Sequence, residues 1–141
     1  MNGGTVAPQR ILVIGGNGFV GSWAVDRLVA DGHQVTVFDS FREPPKYAAR
    51  PALEIAGDYF NHGELGRVLK GQDSVLHLLS STTPATAQMD PLLDVRTNIF
   101  GGVEFLQQAV ENNIQHVYFG SSGGAVYGPE TGLDRRTGRA D

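Results

Sequence analysis

Five apolar runs alternate along this chain with helix-like stretches, and that alternation constrains the fold more than any other feature. Ile11-Leu12-Val13-Ile14 is unbroken by polar residues, as a strand buried on both faces requires, and it runs into Gly15-Gly16. Gln34-Val35-Thr36-Val37-Phe38 is rich in β-formers and ends at Asp39. Leu53-Glu54-Ile55-Ala56 ends at Gly57-Asp58, Val75-Leu76-His77-Leu78-Leu79 enters the hydroxyl-rich loop Ser80 to Thr83, and His116-Val117-Tyr118-Phe119 leads into Gly120-Ser121-Ser122-Gly123-Gly124.

The intervening stretches have helical spacing. Val20, Ala24 and Leu28, with Trp23 beside them, predict a first helix that Gly32 ends. Leu65, Val68 and Leu69 predict a short helix stopped by Gly71. The longest pattern runs from about Pro91 to Asn113, with Val95, Ile99, Val103, Leu106 and Val110 as its expected buried stripe. Pro44, Pro45 and Pro51 make the segment Phe41 to Pro51 a loop with at most a short helix. Strands alternating with helices predict an α/β fold, a parallel sheet doubly wound with helices on both faces. Right-handed crossovers leave few topologies for it. About five strands are expected, in a single and incomplete domain. Residues 1–9 read as a flexible N-terminal lead, 10–128 as the domain, and 129–141 as a poorly ordered tail that carries Arg135, Arg136 and Arg139.

Composition removes several classes of function. The formal net charge is −4, with only two lysines and no basic run, which argues against binding driven by nucleic-acid phosphates. There is no cysteine, so disulfides, thiolate zinc sites and cysteine nucleophiles are excluded, and no metal site is expected. Absent cysteine also fits the cytoplasm. No apolar run is long enough to cross a bilayer, and Met1 to Gln9 lacks the apolar core of a signal peptide.

Gly15, Gly18 and Gly21 stand at Gly-x-x-Gly-x-x-Gly spacing between the first strand and the first helix. One glycine permits the tight turn, the next lets the backbone approach a pyrophosphate, and the last lets helix and strand pack closely. The free N–H groups and dipole of the helix N-terminus then favour an anion. Alone the spacing is equally that of a tight turn. Its place after a strand and before a helix is what points to a dinucleotide. Asp39 ends the second strand 18 residues after Gly21, near the position of a ribose-binding acid. A carboxylate there accepts from both ribose hydroxyls and repels a 2′-phosphate, which favours NAD over NADP. Arg42, close by, is the residue that argues the other way.

From Arg10 to Gly128, about four-fifths of its length, the chain resembles the extended short-chain dehydrogenase/reductase family. The resemblance is to its UDP-glucose 4-epimerase-like branch of NAD-dependent nucleotide-sugar epimerases and dehydratases, which implies a Rossmann domain. Gly15-Gly16-Asn17-Gly18-Phe19-Val20-Gly21 is similar to the family's glycine loop, and Gly57-Asp58 to its adenine-contacting turn. His77-Leu78-Leu79-Ser80 resembles the strand end beside the cofactor's ribose and phosphates. Asn98-Ile99-Phe100-Gly101 resembles the structural Asn-x-x-Gly of the fourth helix, and Ser121 to Gly128 the serine-rich loop after the fifth strand. The resemblance implies cofactor contacts from Gly15, Asn17, Gly18, Phe19, Val20 and Gly21. It implies further contacts from Asp39, Ser40 and Arg42, from Asp58 and Tyr59, from Leu78, Leu79 and Ser80, and from Asn98 and Ser121. Read without it, Asp58 is a turn residue or cap and His77 a packed core histidine.

The family's chemistry, as the resemblance implies it, needs a tyrosine whose phenol is acidified by a lysine four residues on, and a nearby hydroxyl. Hydride then passes between the sugar and NAD. Here Tyr47, Tyr59, Tyr118 and Tyr127 are followed four residues later by Pro51, Gly63, Ser122 and Thr131, and the only lysines are Lys46 and Lys70. Counting back from Tyr127 puts Gly123 where the hydroxyl usually stands, so Ser122 is the candidate for that role. The expectation is therefore a truncated, inactive cofactor-binding portion. Its partners would be NAD and, in the parent family, a nucleotide sugar; the family also pairs as homodimers through the fourth and fifth helices, of which this chain has only the fourth. A non-catalytic NAD(P) sensor or interaction module, and an NADP-dependent reductase of the same extended family, are the competing readings.

Overall fold

The computed structural model describes residues 7–79 and 88–120. Its sheet has five strands, β1 (Arg10–Ile14), β2 (Gln34–Asp39), β3 (Leu53–Ala56), β4 (Ser74–His77) and β5 (His116–Phe119), in the order β3-β2-β1-β4-β5. Every adjacent pair is parallel. This is the doubly wound Rossmann arrangement: the chain steps outward from β1 to β3, then crosses back to lay β4 on the other side of β1. The carboxyl ends of β1, β2 and β3 therefore open onto one crevice.

Side-chain alternation in β1 explains why that run had to be apolar throughout. Leu12 and Ile14 enter one core with Phe38, Leu65, Val68 and Phe105. Ile11 and Val13 enter another on the opposite face, with Val25, Val35, Val37 and Tyr47. The first core lies under α2 (His62–Leu69) and α4 (Gly101–Glu111), and the second under α1 (Phe19–Ala30). α1 closes with paired bonds from Gly32 N–H to Val29 O and from His33 N–H to Leu28 O, the Schellman pattern at a helix end. Gln9, placed in the N-terminal lead, accepts the Gln34 N–H on its carbonyl and the Ser74 hydroxyl on its side chain.

Two expected helical faces are corrected. In α1 the buried residues are Gly21, Ser22 and Val25, while Val20 and Trp23 are exposed. Gly21 must lie against the loop beneath it, and that rotates the helix by one position. The long pattern from Pro91 is also not one regular helix. It comprises α3 (Pro91–Asp94), a π-helical turn (Val95–Phe100) and α4. α4 buries Gly101, Phe105 and Ala109, whereas the expected stripe of Val95, Ile99, Val103, Leu106 and Val110 faces outward. Gly101 leaves room for Phe60 and Tyr59 to pack against the helix start, which fixes the inner face.

Candidate cofactor site

Gly15 and Gly21 have the backbone geometry that the glycine loop needs. Gly15 has φ +77°, and a Cβ on it would sit 2.9 Å from the Leu79 nitrogen at the end of β4. A Cβ on Gly21 would lie 2.2 Å from the Gly15 carbonyl oxygen, so only hydrogen fits between helix and loop. Gly18 is the N-cap of α1 and no side chain caps the helix. The first intrahelical bond runs from the Ser22 N–H to the Gly18 carbonyl, so the earlier N–H groups are left to an external acceptor. Phe19 and Val20 point their side chains to solvent, so their contribution at this site is the backbone N–H.

Across the crevice, Asp39 is fixed from both sides. Its Oδ2 accepts the Asn17 N–H at 3.0 Å and its Oδ1 accepts the Phe41 N–H at 3.3 Å and the Ser40 hydroxyl at 3.4 Å. Each carboxylate oxygen keeps acceptor capacity for a ribose hydroxyl. Asp39, Ser40 and Arg42 line a cavity of about 460 Å³ together with Gly15, Asp58 and Tyr59, and Leu79 closes it from β4.

The turn after β3 is equally constrained. The Asp58 N–H donates to Glu64 Oε2 at 2.8 Å, and Asp58 Oδ1 accepts the Phe60 N–H at 3.0 Å. Asn61 caps α2 by accepting from the Gly63 and Glu64 N–H groups, and its amide donates to Glu64 Oε1. Tyr59 is buried and donates its hydroxyl to the Gly101 carbonyl at 3.1 Å, and burial pushes that phenol up to about 12. Its ring forms cavity wall while its hydroxyl is engaged with α4. His77 is packed among Phe119, Phe105 and Tyr59, with ring centroids at 4.5, 5.0 and 5.1 Å.

The structure thus gathers Gly15, Asn17, Gly18, Asp39, Ser40, Arg42, Asp58, Tyr59 and Leu79 around one crevice. Asn98 lies apart, in the π-helical turn, where its amide donates to Asp94 Oδ1 at 2.7 Å and it lines a smaller adjoining cavity with His77 and Phe119. Ser80, Ser121 and Ser122 fall outside the described residues, and Leu78 packs toward the α1-side core. Sequence reasoning did not single out Glu43 and Lys46, which line an adjoining cavity with Asn17, Gly18 and Asp39. They sit in a proline-rich segment with no periodic signal. Among the described residues no group of three or more His, Cys, Asp or Glu is placed to hold a metal ion. No helix there is long and apolar enough to cross a membrane.

An uncapped helix N-terminus behind a glycine loop, facing an acid at the end of the neighbouring strand, defines a dinucleotide-binding α/β domain. The chain belongs to the NAD dependent epimerase/dehydratase family, whose model matches residues 11–140. It is 32% identical over 127 residues to UDP-glucose 4-epimerase of Mycolicibacterium smegmatis, covering 85% of this chain and 41% of that protein. It is 33% identical over 103 residues to UDP-glucuronic acid decarboxylase 1 of Danio rerio, covering 70% of this chain and 24% of the relative. The structure of Thermus thermophilus UDP-glucose 4-epimerase in complex with NAD superposes with a TM-score of 0.78 at 28% identity, over 94% of this chain and 44% of that one. The chain spans less than half the length of these relatives.

Proposed function

We propose that this chain is the NAD-binding portion of a nucleotide-sugar epimerase or dehydratase. The observation that carries the reading is the glycine loop, whose uncapped helix N-terminus faces Asp39 across the crevice. The adenine occupies the cavity against the Asp58 turn, the adenosine ribose hydroxyls donate to Asp39, and the pyrophosphate lies over Gly18 on the first-turn N–H groups of α1. NAD, when bound, supplies the hydride acceptor of the reaction. Gly15 and Gly21 let the backbone close on the cofactor, and the Asn61–Glu64 cap keeps the Asp58 turn in place.

The relatives named above act on UDP-sugars, and a UDP-sugar is the substrate class proposed for the whole protein. These 141 residues contain no tyrosine followed four residues later by lysine, so by themselves they bind cofactor without turning over a sugar nucleotide. The outward apolar stripe through Ile99, Val103, Leu106 and Val110 supports a homodimer paired along that helix.

Calorimetric titration of the full chain with NAD and then NADP tests the reading. Saturable NAD binding, lost in Gly18→Asp and Asp39→Ala, is expected. Absence of binding to a cooperatively folding wild-type chain overturns it, and turnover of UDP-glucose or UDP-galactose by the chain overturns the inactivity.

A further inference from the structure

The segment between β2 and β3 is a pinned strap rather than a loose loop. The buried Asn17 side chain donates from Nδ2 to the Glu43 carbonyl at 2.9 Å and to the Pro44 carbonyl at 3.3 Å, and its Oδ1 accepts the Lys46 N–H at 2.9 Å. Both ends of one carboxamide are thus satisfied by the backbone of one turn. Farther along, Asp26 Oδ1 on α1 accepts the Ala48 and Ala49 N–H groups at 2.9 and 2.7 Å, and the Tyr47 ring is buried in the α1-side core. Phe41, at the start of the strap, has φ +47°, a left-handed conformation that a phenylalanine keeps only where its surroundings over-determine it.

The pinned turn decides which charges face the ribose. Asn17, Gly18, Asp39, Arg42, Glu43 and Lys46 line a shallow cavity of about 200 Å³ there. Glu43 is paired with Lys46 at 2.7 Å. Two acids, Asp39 and Glu43, face two bases, Arg42 and Lys46, so the charges lining this cavity sum to zero. A 2′-phosphate dianion placed beside Asp39 would meet no surplus of positive charge. Glu43 and Lys46 both ride on this turn, so loosening it breaks their pairing and leaves the Lys46 ammonium, with Arg42, to a phosphate.

We propose that Asn17 is a positioning residue for cofactor choice: its carboxamide holds the 43–46 turn so that Glu43 stays paired with Lys46 beside Asp39, and the site selects the dinucleotide without a 2′-phosphate. This rests on the cofactor reading above and adds to it a residue that acts through others. Asn17→Ala in the full chain keeps the residue 17 N–H to Asp39 but frees the turn. The expected result is a fall of about three- to tenfold in the ratio of NAD to NADP affinity, the size that one or two hydrogen bonds carry. Glu43→Gln, which leaves the tether intact and removes one acid, should lower the ratio in the same direction. Both ratios are read by calorimetric titration, with circular dichroism confirming the fold. Equal weakening of NAD and NADP by a folded Asn17→Ala chain, the mark of a merely structural role, overturns the proposal. If Asn17→Ala does not fold, Glu43→Gln and Asp26→Ala decide, and ratios unchanged in both overturn it. Wild-type protein that folds and binds neither dinucleotide would remove the cofactor reading itself, a separate outcome.

Discussion

The backbone N–H of Asn17 donates to Asp39 Oδ2 at 3.0 Å, so the acid that ends β2 is joined to the glycine loop after β1 before any ligand arrives. One carboxylate therefore shapes the loop and is also the acceptor proposed for the ribose. Asp39→Asn keeps the side-chain shape but replaces an ionised acceptor with a neutral amide that has only one acceptor oxygen. We expect NAD affinity to fall by about 10- to 100-fold, as loss of charge-assisted hydrogen bonds implies, with NADP affinity falling less. Paired calorimetric titrations check this, and an unchanged NAD affinity would place the ribose elsewhere.

Gly21 and Gly102 make a matched pair. A methyl on Gly21 would stand 2.2 Å from the Gly15 oxygen and 2.8 Å from the Gly16 Cα, both backbone atoms that cannot rotate away. Gly21→Ala should cost about 3 kcal/mol and weaken NAD binding. A methyl on Gly102, within α4, meets nothing within 4 Å. Gly102→Ala should stabilise by about 0.5–1 kcal/mol, because alanine loses less backbone freedom on folding. Urea titrations of the two variants would contradict the close-packing account if both moved stability equally.

How legible the fold was depended on what each residue answers to. The strands were plain because β1 and β2 are buried on both faces, which calls for runs of apolar and β-branched residues. The glycine loop and Asp39 were plain because a steric limit and a charge each demand one residue type. Helix faces were harder. The outward residues Ile99, Val103 and Val110 are as apolar as the inward Phe105 and Ala109, so periodicity alone cannot say which stripe meets the sheet. The strap was not legible at all. Its anchors Asn17, Asp26 and Tyr47 are brought to it by the tertiary fold, and polar side chains bonding to a distant backbone leave no pattern in the sequence.

That outward stripe carries its own prediction. Val103 and Leu106 are 51% and 43% exposed, adjacent to exposed Ile99 and Val110. This apolar row is the surface that the proposed homodimer would bury. Leu106→Asp should leave secondary structure and NAD binding intact while lowering the mass seen by analytical ultracentrifugation from dimer to monomer. A wild-type chain that sediments as a monomer at every concentration would rule out pairing through this face.

His77 gives the chain a distinct response to acid. Desolvation among Phe119, Phe105 and Tyr59 pushes the imidazole from its ordinary value near 6.5 down to about 4, and among the described residues its buried Nε2 has no hydrogen-bond partner. The folded state thus prefers the neutral ring. Its contribution is complete above the unfolded value of 6.5 and is lost as pH falls toward 4, a loss of about 3 kcal/mol. Asp73 does not share that window, because hydrogen bonds from Arg10 hold its carboxyl down to about 2. Urea denaturation across pH 7 to 4 should therefore show a slope in the wild-type chain that flattens in His77→Leu. The apolar replacement is itself tolerable in this aromatic pocket, since it leaves no buried polar atom unpaired. Identical slopes in the two proteins would mean that the acid sensitivity arises from groups other than His77.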